Sequence, residues 1–210
     1  MPTEQTLKSF LNELASSSPA PGGGSVAALA GALGSALTSM VCNLTIGKKK
    51  YAAVEGEAKR VLAASEQLRL TFTALVQKDS AAFRKVMEAY GLPKDNDAQK
   101  ALRSAAIQEA TKEAALVPLE VMKHCIDAHA LAQEVASKGN QNSISDAGVS
   151  ALMLHTACEA AALNVRVNLT TITDADFVGW KTEEVNSLLR TSKVMLEGTQ
   201  SIVEQKLGKK

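Results

Sequence analysis

The stretch PGGGSVAALAGALGSALTSMVCNLTIGKKK, residues 21–50, decides the fold. A proline and three glycines open it, residues 26–47 carry no charge, and Lys48, Lys49 and Lys50 close it. The uncharged run is long enough to span a bilayer, and the lysines resemble a stop signal. Its composition points elsewhere. Most of it is Ala, Gly, Ser and Thr, Asn43 sits near its end, and no other stretch of the chain could span. The better expectation is a helix buried on all sides, with Gly31, Gly34, Ser35 and Ser39 letting neighbouring backbones approach closely. Such a helix belongs at the centre of a bundle or across a two-fold interface.

Outward from this segment the chain reads as further helices. Residues 6–16 place Leu7, Phe10, Leu11 and Leu14 on one face. Residues 52–90 carry a stripe that includes Val61, Leu68, Phe72, Leu75, Val76, Phe83 and Val86, and Gly91 with Pro93 ends it. A fourth helix is expected over 97–138, where Pro118 should kink it or divide it in two. A fifth runs from the polar loop 139–145 to about 171, and a sixth from Asp174 or Asp176 to about 207. Long helices joined by short turns predict an all-α antiparallel bundle of about six helices, folded as one domain over 1–210. The 34 alanines favour helix, and 3% aromatics argue against a sandwich or barrel.

Charge excludes one class of partner. With 23 Lys+Arg against 22 Asp+Glu, no large basic face for nucleic acid is expected. Cys42, Cys125 and Cys158 lie in apolar helical contexts and read as reduced, cytoplasmic core thiols. The polar residues 1–10 do not resemble a signal peptide. His124, His129 and His155 lack metal-ligand spacing, so no metal site is expected.

Several residues could carry chemistry, and each has a plainer reading. Gly22, Gly23, Gly24 and Ser25 precede a helix, where bare backbone N–H groups could cradle a ligand. The plainer reading is a tight turn with Ser25 as N-cap. Asp79 shares a helix face with Leu75 and Phe83. A carboxylate there must be paired, hydrogen-bonded or protonated, whether for function or to hold a neighbouring helix end. Asn140, Gln141 and Asn142 make the densest polar cluster, beside a capping-box-like Ser143 and Asp146. Asn164 and Asn168 share a face, to bridge helices or to reach a ligand. Lys48 and Lys49 sit where a helix dipole favours cations, as a solvated turn or a carboxylate-binding patch.

Parity divides these candidates. In an up-and-down bundle, Lys48, Lys49 and the 140–146 loop share one end, and the 22–24 loop and Asp79 lie nearer the other. A 22-residue helix separates the ends by about 33 Å, too far for one small ligand. An antiparallel two-fold dimer would bring one subunit's glycine loop to the other's Asn/Asp loop.

Residues 19–28 (PAPGGGSVAA), Met40-Val41, Leu44-Thr45, Gly47-Lys48-Lys49, Asp79 with Ala82-Phe83, Val117-Pro118, Gly139-Asn140 with Ser145-Asp146, and Asn164-Val165 with Asn168 together resemble the cyclodeaminase/cyclohydrolase family. That family includes stand-alone methenyltetrahydrofolate cyclohydrolases and the C-terminal domain of formiminotransferase-cyclodeaminase. Asn142 and Ala147-Gly148-Val149 look closer to the stand-alone cyclohydrolases. No cofactor beyond tetrahydrofolate, no nucleic acid and no membrane is expected; the resemblance implies long antiparallel helices, a homodimer, and a folate bound at the subunit interface. It leads us to expect cyclohydrolase activity, with Asp146 as the first candidate for the catalytic acid–base and Asp79 as the second. Asn140, Asn142, Asn164, Asn168, Gly22, Gly23, Gly24 and Ser25 are then candidates for substrate contact, and Lys48 or Lys49 for the glutamate carboxylates. Cyclodeaminase activity with release of ammonia, and a non-catalytic folate-binding helical dimer, are the alternatives.

Overall fold

The small-residue helix is the centre of the molecule. The computed structural model describes residues 6–208, so the polar residues 1–5 of the N-terminal reading lie outside the described residues. Six α-helices follow in order: α1 (Leu7–Leu14), α2 (Gly23–Thr45), α3 (Glu55–Tyr90), α4 (Asp97–Lys138), α5 (Ile144–Leu169) and α6 (Ala175–Leu207). Short 3-10 turns at Lys49–Val54 and Gln141–Ser143 precede α3 and α5. No strand occurs among the described residues.

α2 packs against α3 on one side and α5 on the other, with α4 across them and α6 behind α4 and α5. It is long and apolar enough to cross a membrane, yet 67% of its most apolar window is buried by the protein's own helices. A Cβ at Gly31 would lie 2.6 Å from the Phe72 ring, and one at Gly34 would lie 2.7 Å from Leu154 Cγ. These are below any van der Waals contact, so only glycine lets α3 and α5 come this close. Two hydroxyls of the same helix, Thr38 and Ser39, are answered across the interfaces, whereas the buried Ser35 Oγ has no hydrogen-bond partner among the described residues. Thr38 and Ser150 hydroxyls meet at 2.9 Å, Ser39 and Ser65 at 2.8 Å, and Ser150 donates to Gly34 O at 2.7 Å. Buried polar groups partnered in this way carry no net desolvation penalty.

Boundaries differ from expectation where caps are concerned. α2 starts at Gly23 with Gly22 as N-cap, so Ser25 lies inside the first turn and is not the cap. Ser143 occupies the N-cap of α5 but makes no side-chain cap bond, so no capping box forms with Asp146. The sixth helix starts after Asp174, which accepts from Phe177 N. α4 runs unbroken through Pro118 rather than dividing there. Pro118 cannot donate to the carbonyl of Ala114, four residues back. Asn168 Nδ2 from α5 donates to that carbonyl instead, at 3.3 Å. The orphaned acceptor is thereby satisfied from a neighbouring helix, and the helix continues.

The three cysteines are buried and free, as the sequence suggests, and burial pushes the Cys42 and Cys158 thiols up to about 11. A fully buried His129 on α4 shares Ser192 Oγ of α6 with His155 of α5, at 3.1 and 2.9 Å. Burial, and then the charge of His155, lower His129 to about 4. In the unfolded chain a histidine titrates near 6.5, so between these values the unfolded state binds the extra proton. Stability contributed by neutral His129 is therefore complete above about pH 6.5 and is lost as pH falls towards 4. The full loss is about 3 kcal/mol. Urea melts at pH 7 and pH 4.5 should show this decline, and His129→Leu should flatten it relative to the unsubstituted protein. An equal decline in both would show that His129 is not its source.

Candidate functional site

Asp79 lies about two-thirds of the way along α3 and turns toward the N-terminus of α2. Its carboxylate sits directly over Gly24, where a Cβ would come 2.1 Å from Oδ1. Ser25 donates its hydroxyl to Asp79 Oδ2 at 2.8 Å, and Ser25 Oγ is also 3.3 Å from Val76 O and from Ser80 Oγ. Gly22 has no side chain to cap α2. Asp79 does this through space, placing negative charge at the positive end of the helix dipole. Burial raises the Asp79 carboxyl above its ordinary range, against the Ser25 hydroxyl and backbone N–H, which pull it down. The capping expectation and the chemical one thus fall on the same atom group.

A cavity of about 350 Å³ opens beside this carboxylate. Pro19, Gly22, Gly23 and Gly24 form one wall, Phe83 and Val86 of α3 another, and Asn164, Val167 and Asn168 of α5 a third. Asn164 Nδ2 donates to Ala160 O at 2.8 Å. Asn168 Nδ2 donates to Asn164 O at 2.9 Å and to Ala114 O at 3.3 Å. Carbonyl oxygens can only accept, so these partners fix which end of each amide is nitrogen. Among the described residues the amide oxygens have no donor. The polar side chains of the cavity therefore offer acceptors: Asp79 and two amide oxygens. Asp79 is its one ionisable lining residue among those described. Such a cavity suits a flat ligand bearing N–H donors or delocalised positive charge.

The remaining candidates form a second group at the far end of α2. Asn140 donates from Nδ2 to Leu44 O at 2.7 Å and from its backbone N–H to Thr45 Oγ1 at 2.9 Å. Its Oδ1 accepts from Asn142 N at 3.0 Å and from Tyr51 Oη at 3.5 Å. Asn140 is thus spent on tying its own loop to the end of α2, while Asn142 stays exposed. Tyr51 clamps this loop, since its hydroxyl also accepts from Gln141 N at 3.0 Å. Nothing in the sequence marked Tyr51, because its partners lie about ninety residues away. Asp146 stands half-buried in the first turn of α5. Lys48 and Lys49 are exposed and without an ion-pair partner among the described residues. Within one chain, then, Gly22, Gly23, Gly24, Ser25, Asp79, Asn164 and Asn168 come together. Asp146, Asn140, Asn142, Lys48 and Lys49 gather at the other end of α2, about 33 Å away.

A family model described as formiminotransferase-cyclodeaminase matches residues 6–187. A methenyltetrahydrofolate cyclohydrolase of Methylorubrum extorquens is 48% identical over 208 residues, 99% of this chain and 100% of that protein. The formimidoyltransferase-cyclodeaminase of Mus musculus is 35% identical over 190 residues, 90% of this chain. The match covers 35% of the mouse protein's length. The crystal structure of formiminotetrahydrofolate cyclodeaminase from Thermotoga maritima superimposes with a TM-score of 0.87 at 33% identity, covering 97% of this chain and 98% of that one.

The Gly24–Asp79 contact gives a test by double-mutant cycle. Gly24→Ala should destabilise by about 1–3 kcal/mol, the usual cost of overpacking. In an Asp79→Ala background the same change should cost less, because the atom it strikes is gone. Equal costs in the two backgrounds, by urea melts, would show that Asp79 does not set the need for glycine.

Proposed function

The chain belongs to the formiminotransferase-cyclodeaminase family, and from that premise we propose that it is a methenyltetrahydrofolate cyclohydrolase, hydrolysing 5,10-methenyltetrahydrofolate to 10-formyltetrahydrofolate in one-carbon metabolism. The observation that carries the reading is Asp79, a half-buried carboxylate with raised proton affinity, set in a cavity whose other polar side chains offer oxygens. The end-to-end similarity to the Methylorubrum protein favours hydrolysis among the family's activities.

The substrate is a delocalised amidinium cation, so the acceptor-lined cavity matches its charge. Water adds to the amidinium carbon, forming a C–O bond, and Asp79 takes one proton of that water. The neutral hydroxy adduct then collapses. Asp79 returns its proton to N5 as the C–N5 bond breaks, the C–O bond becomes the formyl carbonyl, and the hydroxyl proton leaves to solvent. The sum is cation plus water giving neutral formyl product plus one proton. The cation is electrophilic already, so the reading requires no cofactor beyond tetrahydrofolate.

The second polar group enters through a two-fold partner. α2 exposes Val26, Leu33, Met40 and Leu44, and α5 exposes Val149, Leu152, Leu163 and Val167. α2 and α5 pack antiparallel, and in the proposed dimer these large apolar residues make one face. The face starts at the Asp79 cavity, which Val167 lines, and ends at the 140–146 loop. A second copy packed antiparallel on it buries that face and sets Asp146, Asn142, Lys48 and Lys49 of the partner opposite the cavity. Asp146 is then the second carboxylate of the site, and Lys48 or Lys49 meets the glutamate carboxylates. The buried thiols fit a reduced, cytoplasmic setting for this single-domain enzyme.

Loss of the methenyl chromophore, measured against spontaneous hydrolysis, tests the activity. Asp79→Asn should lower turnover by about 10²-fold or more with helicity unchanged. Asp79→Asn mixed with Asp146→Asn should regain about a quarter of wild-type activity after subunit exchange, because half of the dimers then hold one intact site. Mixing that restores nothing, with each variant inactive alone, would place both carboxylates in one chain's site or remove the shared one. The similarity to the Thermotoga structure and the animal proteins favours cyclodeaminase as the second reading. Ammonia release from 5-formiminotetrahydrofolate, with no chromophore loss, would select it. A protein that binds folate but converts neither substrate would be a non-catalytic folate-binding dimer.

A further inference from the structure

Pro118 stands in the interior of a 42-residue helix, a position that ordinarily costs about 3 kcal/mol relative to alanine. It is buried in the core, far along the chain from every polar candidate. Its effect on the site passes through one acceptor. The residue has no N–H for the carbonyl of Ala114, and its ring crowds that carbonyl away from the helix axis. Ala114 and Asn168 line the same cavity as Asp79. Asn168 has two amide protons. One goes to Asn164 O, within its own helix, and the other goes to the carbonyl that Pro118 leaves open. With both protons committed to carbonyls, the amide oxygen is left as the atom available to a ligand.

We propose that Pro118 is a positioning residue: by withholding its N–H it keeps the Ala114 carbonyl open to Asn168, which then presents its oxygen to the cavity and selects a ligand edge bearing N–H donors. This rests on the folate reading, because a reduced pterin carries such an edge in its amino and ring N–H groups. An alanine at 118 supplies the missing N–H, closes the bond to Ala114 within α4, and frees the Asn168 amide to turn. The proline thus lowers the stability of α4 in order to fix a side chain on α5.

The two consequences of Pro118→Ala have opposite signs, which separates this role from a structural one. Thermal stability should be unchanged or higher. KM for 5,10-methenyltetrahydrofolate and the dissociation constant of tetrahydrofolate by calorimetry should each rise about 5- to 10-fold, the value of one oriented hydrogen bond. The kcat should stay within about twofold, because Asp79 is untouched. In an Asn168→Leu background, Pro118→Ala should weaken binding no further. A stable Pro118→Ala protein with wild-type affinity, or an effect that adds fully to Asn168→Leu, would overturn the proposal. Should Pro118→Ala fail to fold, Asn168→Leu alone decides. A leucine there has no oxygen to present, so binding should weaken about 5-fold or more, and undiminished affinity would count against the proposal. Tetrahydrofolate that does not bind the unsubstituted protein would instead remove the folate reading itself.

Discussion

The structure depends on how closely other helices approach α2. Phe72, Leu154 and Asp79 each occupy the space where a side chain of α2 would begin, over Gly31, Gly34 and Gly24 respectively. Interiors are packed to crystal-like density, so three such contacts on one helix fix the positions of α3 and α5 to within fractions of an ångström. That fixing is what makes a site possible. The carboxylate of Asp79 comes from α3, the amides of Asn164 and Asn168 from α5, and the floor from the first turn of α2. α2 and α3 are consecutive helices, but α5 follows more than fifty residues after the end of α3. Their common reference is the glycine and serine face of α2.

Asp79 joins a structural role at the start of α2 to the chemical role proposed for it. An isolated carboxylate in this position would be costly, and burial does push its proton affinity up. The Ser25 hydroxyl and N–H and the end of the α2 dipole offset that cost. The balance leaves a group that caps a helix when ionised and tolerates a proton better than an exposed aspartate does. In the proposed reaction this is the group that accepts and returns a proton. A stronger set of donors would hold Asp79 as a permanent anion, and an apolar setting would hold it permanently neutral.

Six helices were legible from apolar periodicity, the 91–93 stop and the 139 cap, because these are local signals. The burial of Asp79 was legible from its place between Leu75 and Phe83. Its partner was not, since Ser25 lies 54 residues away and local spacing favoured it as an N-cap. The same limit explains Pro118, whose local reading is a break. Its effect depends on an amide 54 residues beyond Ala114, on another helix. Asn140 illustrates the converse. Its polar surroundings suggested a ligand contact, whereas its hydrogen bonds go to Leu44, Thr45, Asn142 and Tyr51. Sequence exposes which residues are chemically capable, and the fold decides which of their atoms are already engaged.

The separation of the two polar groups follows from the length of α2 and has a consequence for assembly. A 23-residue helix holds them about 33 Å apart, and shortening it would remove turns that bury Phe72 and Leu154. The bundle cannot therefore join them within one chain without giving up its core. The exposed apolar residues of α2 and α5 run from one group to the other. In the proposed dimer a two-fold axis near the middle of that face would exchange its ends, so one packing event would bury the face and pair each cavity with the opposite loop. On that proposal stability and site completion rest on the same residues: a substitution that keeps the copies apart would also separate the groups proposed to meet on a ligand.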